Sequence, residues 1–308
     1  MKISCVCDID KSPGISCVKV NPWNDSVLVI STWSGTNEVY NTRNGSQLEK
    51  IQMNCPQLCI EWINLDSYAS GGSDGCITIK GELLGCNNSP ISCLAYVPQT
   101  KLLASGSWDG KVKLWNPFTK SCVFEYTTNF KIMCMTYAPP AKIICGCSEK
   151  CLLFIDTQNT RNIENKETLF HYQTRSIAAT EGCFAIGVYE GRIMVKQTKQ
   201  GGHTFGFHVH IKVENGIKTV YPVNALAFQP QTDYLATGGS DGVVSIWNIS
   251  KKMKVTSLGD EENKPFNTSI SSLSFSSDGN ILAVAVSYCF EFGDIEHPPD
   301  RLIIYSSV

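Results

Sequence analysis

The sequence predicts an all-β protein, a β-propeller of seven four-stranded blades. Three observations carry this. One unit recurs along the chain: a strand of small and apolar residues, a tight turn, and a second alternating strand. Its turn residues, Ser34, Asp74, Asp109, Glu149, Glu190, Asp241 and Tyr288, are 40, 35, 40, 41, 51 and 47 residues apart. Further strand candidates precede the units, so a period of about 40 residues holds three strands with room for a fourth, as a propeller blade requires.

The elements follow in order. Blade one reads "ISCVKVNP" (15–22) and "LVISTWSGTNEVYNT" (28–42), and blade two "YASGGSDGCITIKGE" (68–82). Blade three is "ISCLAYVPQ" (91–99) with "LASGSWDGKVKLWNP" (103–117). Blade four contains "IICGCSEKCLLFIDT" (143–157), and blade five "FAIGVYEGRIMVKQT" (184–198). Blade six is "VNALAFQP" (223–230) with "LATGGSDGVVSIWNI" (235–249). Blade seven has "ISSLSFSSDG" (270–279), "LAVAVSYC" (282–289) and, after the insertion "SYCFEFGDIEHPPD" (287–300), "RLIIYSS". It lacks a fourth strand, and an unpaired edge invites aggregation. The alternating "KISCVCDI" (2–9) is predicted to supply that strand and close the ring, making residues 1–308 one propeller domain. Asp74, Asp109 and Asp241 are the structural turn residues.

Composition narrows the classes. With 43% hydrophobic and 18% charged residues, the chain has ample material for a core. No apolar run approaches a membrane span and the N-terminal stretch has no signal-peptide core, so an intracellular protein without membrane contact is expected. The 15 cysteines, odd in number and scattered, read as reduced thiols used as small core residues. Cys145, Cys147 and Cys151, and His208 with His210, alternate so that each pair would share a strand face. No second pair stands at metal-site spacing, so no metal or other cofactor is expected. A net charge of −2 without a basic stripe disfavours nucleic acid as the main ligand. Gly-x-Ser-x-Gly, phosphate-loop and His-Glu-x-x-His patterns are absent, so the chain is read as a non-enzyme.

Topology assigns faces. In an antiparallel blade a-b-c-d, the d-to-a and b-to-c connections emerge at one end. That end should collect Trp33, Trp108, Tyr189, Arg175, Arg192 and the 287–300 insertion. Trp33 and Trp108 occupy turn positions where sister blades have Gly-Ser, and either lid the central channel or form a binding surface. Arg175 and Arg192 both belong to blade five and are expected within reach of one ligand. Near their positions sister repeats carry Ser92, Asn224 and Lys111. The two arginines either pair internally with Glu190 or Asp156, or receive carboxylates from a partner in the bidentate geometry Arg favours.

The tetrapeptides "KLWN" and "SIWN" match the WD-type repeat, although few copies carry a Gly-His pair, so a complete Asp-His relay is not expected in most blades. Beyond the repeat, "FHYQTRSI", "YEGRIMV", "GIKTVYPVNALAFQPQTDYLATGGSDGVVSIWN" and "AVAVSYCFEFGDIEHPPDRLII" together resemble the Bub-type WD40 propellers of the mitotic spindle-assembly checkpoint, the third protein of that set. The likeness runs through the whole chain and is densest from 170 to 304. It implies an adaptor, monomeric apart from its partner, in the nucleus, at kinetochores and in cytoplasm. By the resemblance, a GLEBS-type segment of a checkpoint kinase or its pseudokinase relative lies across the loop face. Its paired glutamates meet Arg175 and Arg192, with Trp33, Trp108, Tyr189 and His208 in the site. The pair then docks on phosphothreonine repeats of a kinetochore scaffold. Family members usually carry a Lys after the aromatic in the strand following "EGR", where this chain has Gly206, with His208 two residues on. The alternatives are a Rae-type mRNA-export and nuclear-pore adaptor and a generic WD40 scaffold such as a ubiquitin-ligase substrate receptor.

Overall fold

A computed structural model describes all residues except 10–13, 168–171, 199–201, 261–263, 292, 294 and 308. Among the described residues the chain forms seven four-stranded antiparallel sheets and one two-stranded sheet. Blade one is Ile15–Val20, Val27–Thr32, Thr36–Asn41 and Gln47–Gln52. Blade five is Thr174–Thr180, Cys183–Val188, Arg192–Gln197 and Thr204–His208, strands a to d. The a strands of successive blades contact one another around the whole ring, including the first blade against the seventh. Two hydroxyls bolt that closure, Ser272 and Ser274 accepting the backbone N–H groups of Val18 and Val20. As predicted, the N-terminal strand Lys2–Asp8 pairs with Arg301–Ser306 and becomes the outer strand of blade seven.

Burial falls from the axis outward, which explains the strand compositions. Strand b lies between neighbouring blades and is covered on both faces, so it reads as unbroken small and apolar residues, as in Leu102–Ser107 and Ile281–Val286. Strand d has one face in solvent and alternates, as in Gln47–Gln52. Glycine in strand b admits the next blade: a Cβ on Gly106 would come within 2.5 Å of Ile132, and one on Gly187 within 2.7 Å of Val223.

Every a strand carries a β-bulge at the same place, and the seven bulged residues are Ser16, Leu58, Ser92, Met133, Arg175, Asn224 and Ser271. The next residue is Cys17, Cys59, Cys93 or Cys134 in blades one to four and Ser176 in blade five. Here a small side chain bonds across to the following blade, Cys59 to the Ile91 carbonyl at 3.5 Å and Ser176 to the Val223 carbonyl at 2.8 Å. Four of the 15 cysteines therefore belong to one repeated packing device. Burial pushes the Cys93 thiol up to about 12 and raises Cys59 as well, so neither is a nucleophile at neutral pH. The expectation that all thiols are reduced is corrected at one place: Cys76 and Cys86, cross-strand neighbours in blade two, are joined as a disulfide.

The three turn aspartates act as Asx caps. Asp74, Asp109 and Asp241 accept the N–H groups of Cys76, Lys111 and Val243, each followed by a glycine at positive φ. One full Asp-His relay is present among the described residues. Asp241 holds Nδ1 of the fully buried His210 at 2.9 Å, Nε2 meets the Thr237 hydroxyl at 3.0 Å, and the Trp247 indole donates to that hydroxyl. His210 and His208 thus do not share a strand face, because the strand ends at His208 and the chain turns inward after it. Cys145 and Cys147 are buried in the packing between blades three and four.

Candidate peptide-binding face

The residues immediately after strand b mark one ring on the end of the disc: Trp33, Ser73, Trp108, Ser148, Tyr189, Ser240 and Ser287. Six of these, all but Tyr189, donate their backbone N–H to a carbonyl just ahead of strand a. Equivalent backbone therefore presents large aromatics in blades one, three and five and serines elsewhere. Trp33, Trp108 and Tyr189 are 44%, 37% and 39% exposed, more than lids packed into a core would be.

Arg175 is the single charged side chain among the seven bulged positions. The other six are neutral, and in blades one and three the bulged hydroxyl is used internally: Ser16 donates to the Gln57 carbonyl and Ser92 to the Ile132 carbonyl, both at 2.6 Å. The Arg175 guanidinium instead lies over the Tyr189 ring, 5.5 Å from its centre, with Nη1 3.4 Å from the hydroxyl and Nε 3.4 Å from the Asn224 side-chain oxygen. Asn224 in turn donates to Ser240 and to Cys289 of the 287–300 insertion, tying that loop to the same surface. Neither internal partner considered for Arg175 takes it up. Among the described residues no ion pair includes Arg175. Asp156 ends strand c of blade four, at the far end of the disc, where it caps Gln158 and Asn159. Glu190 accepts the Tyr172 hydroxyl, which raises that phenol's pKa.

Arg192 is not on a strand adjacent to Arg175, as strand b separates them; Tyr189, at the end of strand b, spans the gap. Arg192 lines a groove of about 380 Å³ with Tyr189, Glu190, His208 and Lys218. His208 is its cross-strand neighbour, whereas Gly206 lies in mid-strand opposite Met194. Burial, followed by the fields of Lys218 and Arg192, lowers the His208 pKa from its usual 6.5. A guanidinium, an ammonium and an imidazole converge with one carboxylate, a set suited to an anionic side chain.

Lys218 was not foreseen. It belongs to a hairpin, Ile211–Glu214 with Ile217–Val220, inserted between blades five and six. Its base is fixed by Tyr221 N–H donating to the His210 carbonyl. The signal was in the chain: the turn interval of 51 residues is the longest, and "IKVENGIKTV" places Asn215-Gly216 between alternating runs. Both turn residues have positive φ, 50° and 79°.

The chain as a whole is similar to known proteins. The family model "WD domain, G-beta repeat" matches residues 80–116 and 216–248. The mitotic checkpoint protein bub3 of Dictyostelium discoideum is 32% identical, the alignment covering 96% of this chain and 92% of that protein. The spindle assembly checkpoint protein bub3 of Schizosaccharomyces pombe is 29% identical with 88% of each covered. A poly(A)+ RNA export protein of the same yeast is 24% identical over 86% of this chain and 79% of its own length. A solved structure of U3-55K superposes with a TM-score of 0.86 at 17% identity, covering 99% of both chains, a likeness of fold.

Proposed function

The chain belongs to the bub3 family of mitotic checkpoint proteins, WD40 propellers of the spindle-assembly checkpoint, and from that premise we propose that it is the adaptor through which a checkpoint kinase or its pseudokinase relative is brought to kinetochores. A GLEBS-type segment lies across the face bearing Trp33, Trp108 and Tyr189, its acidic residues meeting Arg175 and Arg192. One observation carries this reading. Arg175 is the lone charge in a ring of seven otherwise neutral bulged positions, and it rests on Tyr189 and Asn224 instead of a carboxylate. A disordered segment needs anchors strong enough to offset its ordering entropy, and a guanidinium held on an aromatic ring is such an anchor.

The groove of Arg192, His208 and Lys218 supports the second step, docking on phosphothreonine repeats of a kinetochore scaffold. Lys218 brings a cation beside His208 from the inserted hairpin, so the position of Gly206 does not strip the groove of positive charge. The export proteins share less identity with this chain, and a nuclear and kinetochore location follows from the checkpoint reading. The test is a pull-down from mitotic cells with quantitative mass spectrometry. Wild-type protein should recover a Bub-type kinase or pseudokinase and Arg175→Glu should not; equal recovery by both removes Arg175 from the site.

A further inference from the structure

Blade five carries another feature at its opposite end, where the a-to-b and c-to-d connections emerge. There blades four and five part to leave a cleft of about 430 Å³. Its floor is apolar: Ile144 and Phe184 are buried, and Phe154 meets Phe184 edge to face at 5.7 Å. Its rim is cationic. Lys142 opens a strand of blade four (Lys142–Cys147), Lys166 stands on the outer strand of that blade (Ile163–Glu167), and Lys196 lies on strand c of blade five.

Among the described residues Glu164 is the one carboxylate lining the cleft, and Asp156 stands across the strand pair from Lys142. Glu164 pairs with Lys166, and its pKa is held down first by that hydrogen-bonded pair and further by the fields of Lys142 and Lys196, which line the same cleft. Lys166 also lies over the Phe154 ring at 5.1 Å. None of the ion pairs among the described residues uses Lys142 or Lys196. The cleft thus concentrates positive charge in a chain whose net charge is −2.

We propose that this cleft is a second binding site, for an acidic segment of a partner protein that seats an apolar side chain against Phe154 and Ile144 and places flanking carboxylates at Lys142 and Lys196. Nucleic acid fits it less well. A phosphodiester backbone offers acceptors only and would meet the fixed charge of Glu164, whereas a peptide brings N–H donors for it. The cleft lies at the far end of the disc from Arg175 and Arg192, so the inference stands independently of the checkpoint reading.

The test is fluorescence anisotropy with a labelled peptide of alternating glutamate and phenylalanine, and its lysine counterpart as control. Wild-type protein should bind the acidic peptide in a salt-sensitive manner, and K142E/K196E should weaken binding at least about tenfold. K142R/K196R should retain binding, and R175E/R192E should leave it unchanged, which separates this cleft from the opposite face. Unchanged binding by K142E/K196E, no binding by the wild type, equal binding of the lysine peptide, or full displacement of the acidic peptide by an oligouridylate of equal charge overturns the proposal.

Discussion

Blades three and five are built alike and behave differently at the surface. Each has the bulge in strand a, a glycine in strand b facing the next blade, and a large aromatic after strand b. In blade three the polar groups are used up inside the propeller. Ser92 bonds to the Ile132 and Gly106 carbonyls, and Lys111, which opens strand c, pairs with Glu125 at 2.7 Å. In blade five the same two positions are Arg175 and Arg192, the first stacked on Tyr189 and the second standing opposite His208 in a groove. A repeat fold specifies the backbone many times over, so equivalent positions can carry different side chains in different copies at little structural cost.

The largest effect should separate the blades by binding. Arg175→Glu or Arg192→Glu should weaken a GLEBS-type peptide by about 2–5 kcal/mol in calorimetry, while Lys111→Glu in blade three changes nothing measurable. Equal losses from the blade-three variant would dissolve the contrast. The shared scaffold should respond alike in both: Gly106→Ala and Gly187→Ala each force a Cβ onto the next blade and should each cost about 1–3 kcal/mol in denaturant unfolding. The bulges should then diverge again. Ser92→Ala removes the hydrogen bond to the next blade and should cost about 0.5–1.5 kcal/mol, whereas Arg175→Ala should stay within about 0.5 kcal/mol.

The smallest effect is a pH slope. Burial, Lys218 and Arg192 hold the His208 pKa below 6.5, so the ring is neutral at pH 7 in the free protein. An anion in the groove opposes those cations and raises that pKa, so binding takes up a proton and strengthens as pH falls through the raised pKa of the bound state. His208→Asn should flatten the slope for a glutamate-containing ligand; an unaltered slope excludes His208 from the groove's chemistry.

The ring of blades was legible in the sequence because the copies repeat similar local instructions: small residues, a tight turn that is Asp-Gly in three of them, then alternation. The closing strand was legible because blade seven was one strand short. Arg175 was legible as a charge where sister copies have neutral residues. Other features were not. His210 is separated from its blade by the inserted hairpin, so its pairing with Asp241, 31 residues on, has no adjacent signature. Lys218 reaches the groove only because that hairpin folds back beside Arg192. The Cys76–Cys86 bond depends on register, which spacing alone does not supply.

By itself the sequence determined the architecture, since strand periodicity is short-range and repeats from blade to blade. Only the tertiary structure decided which charges meet. Arg175 with Tyr189, His208 with Lys218, and Lys142 with Lys196 are brought together by sheet register, an inserted hairpin and the seam between two blades. Electrostatic partnership depends on distance in space, and distance along the chain does not encode it.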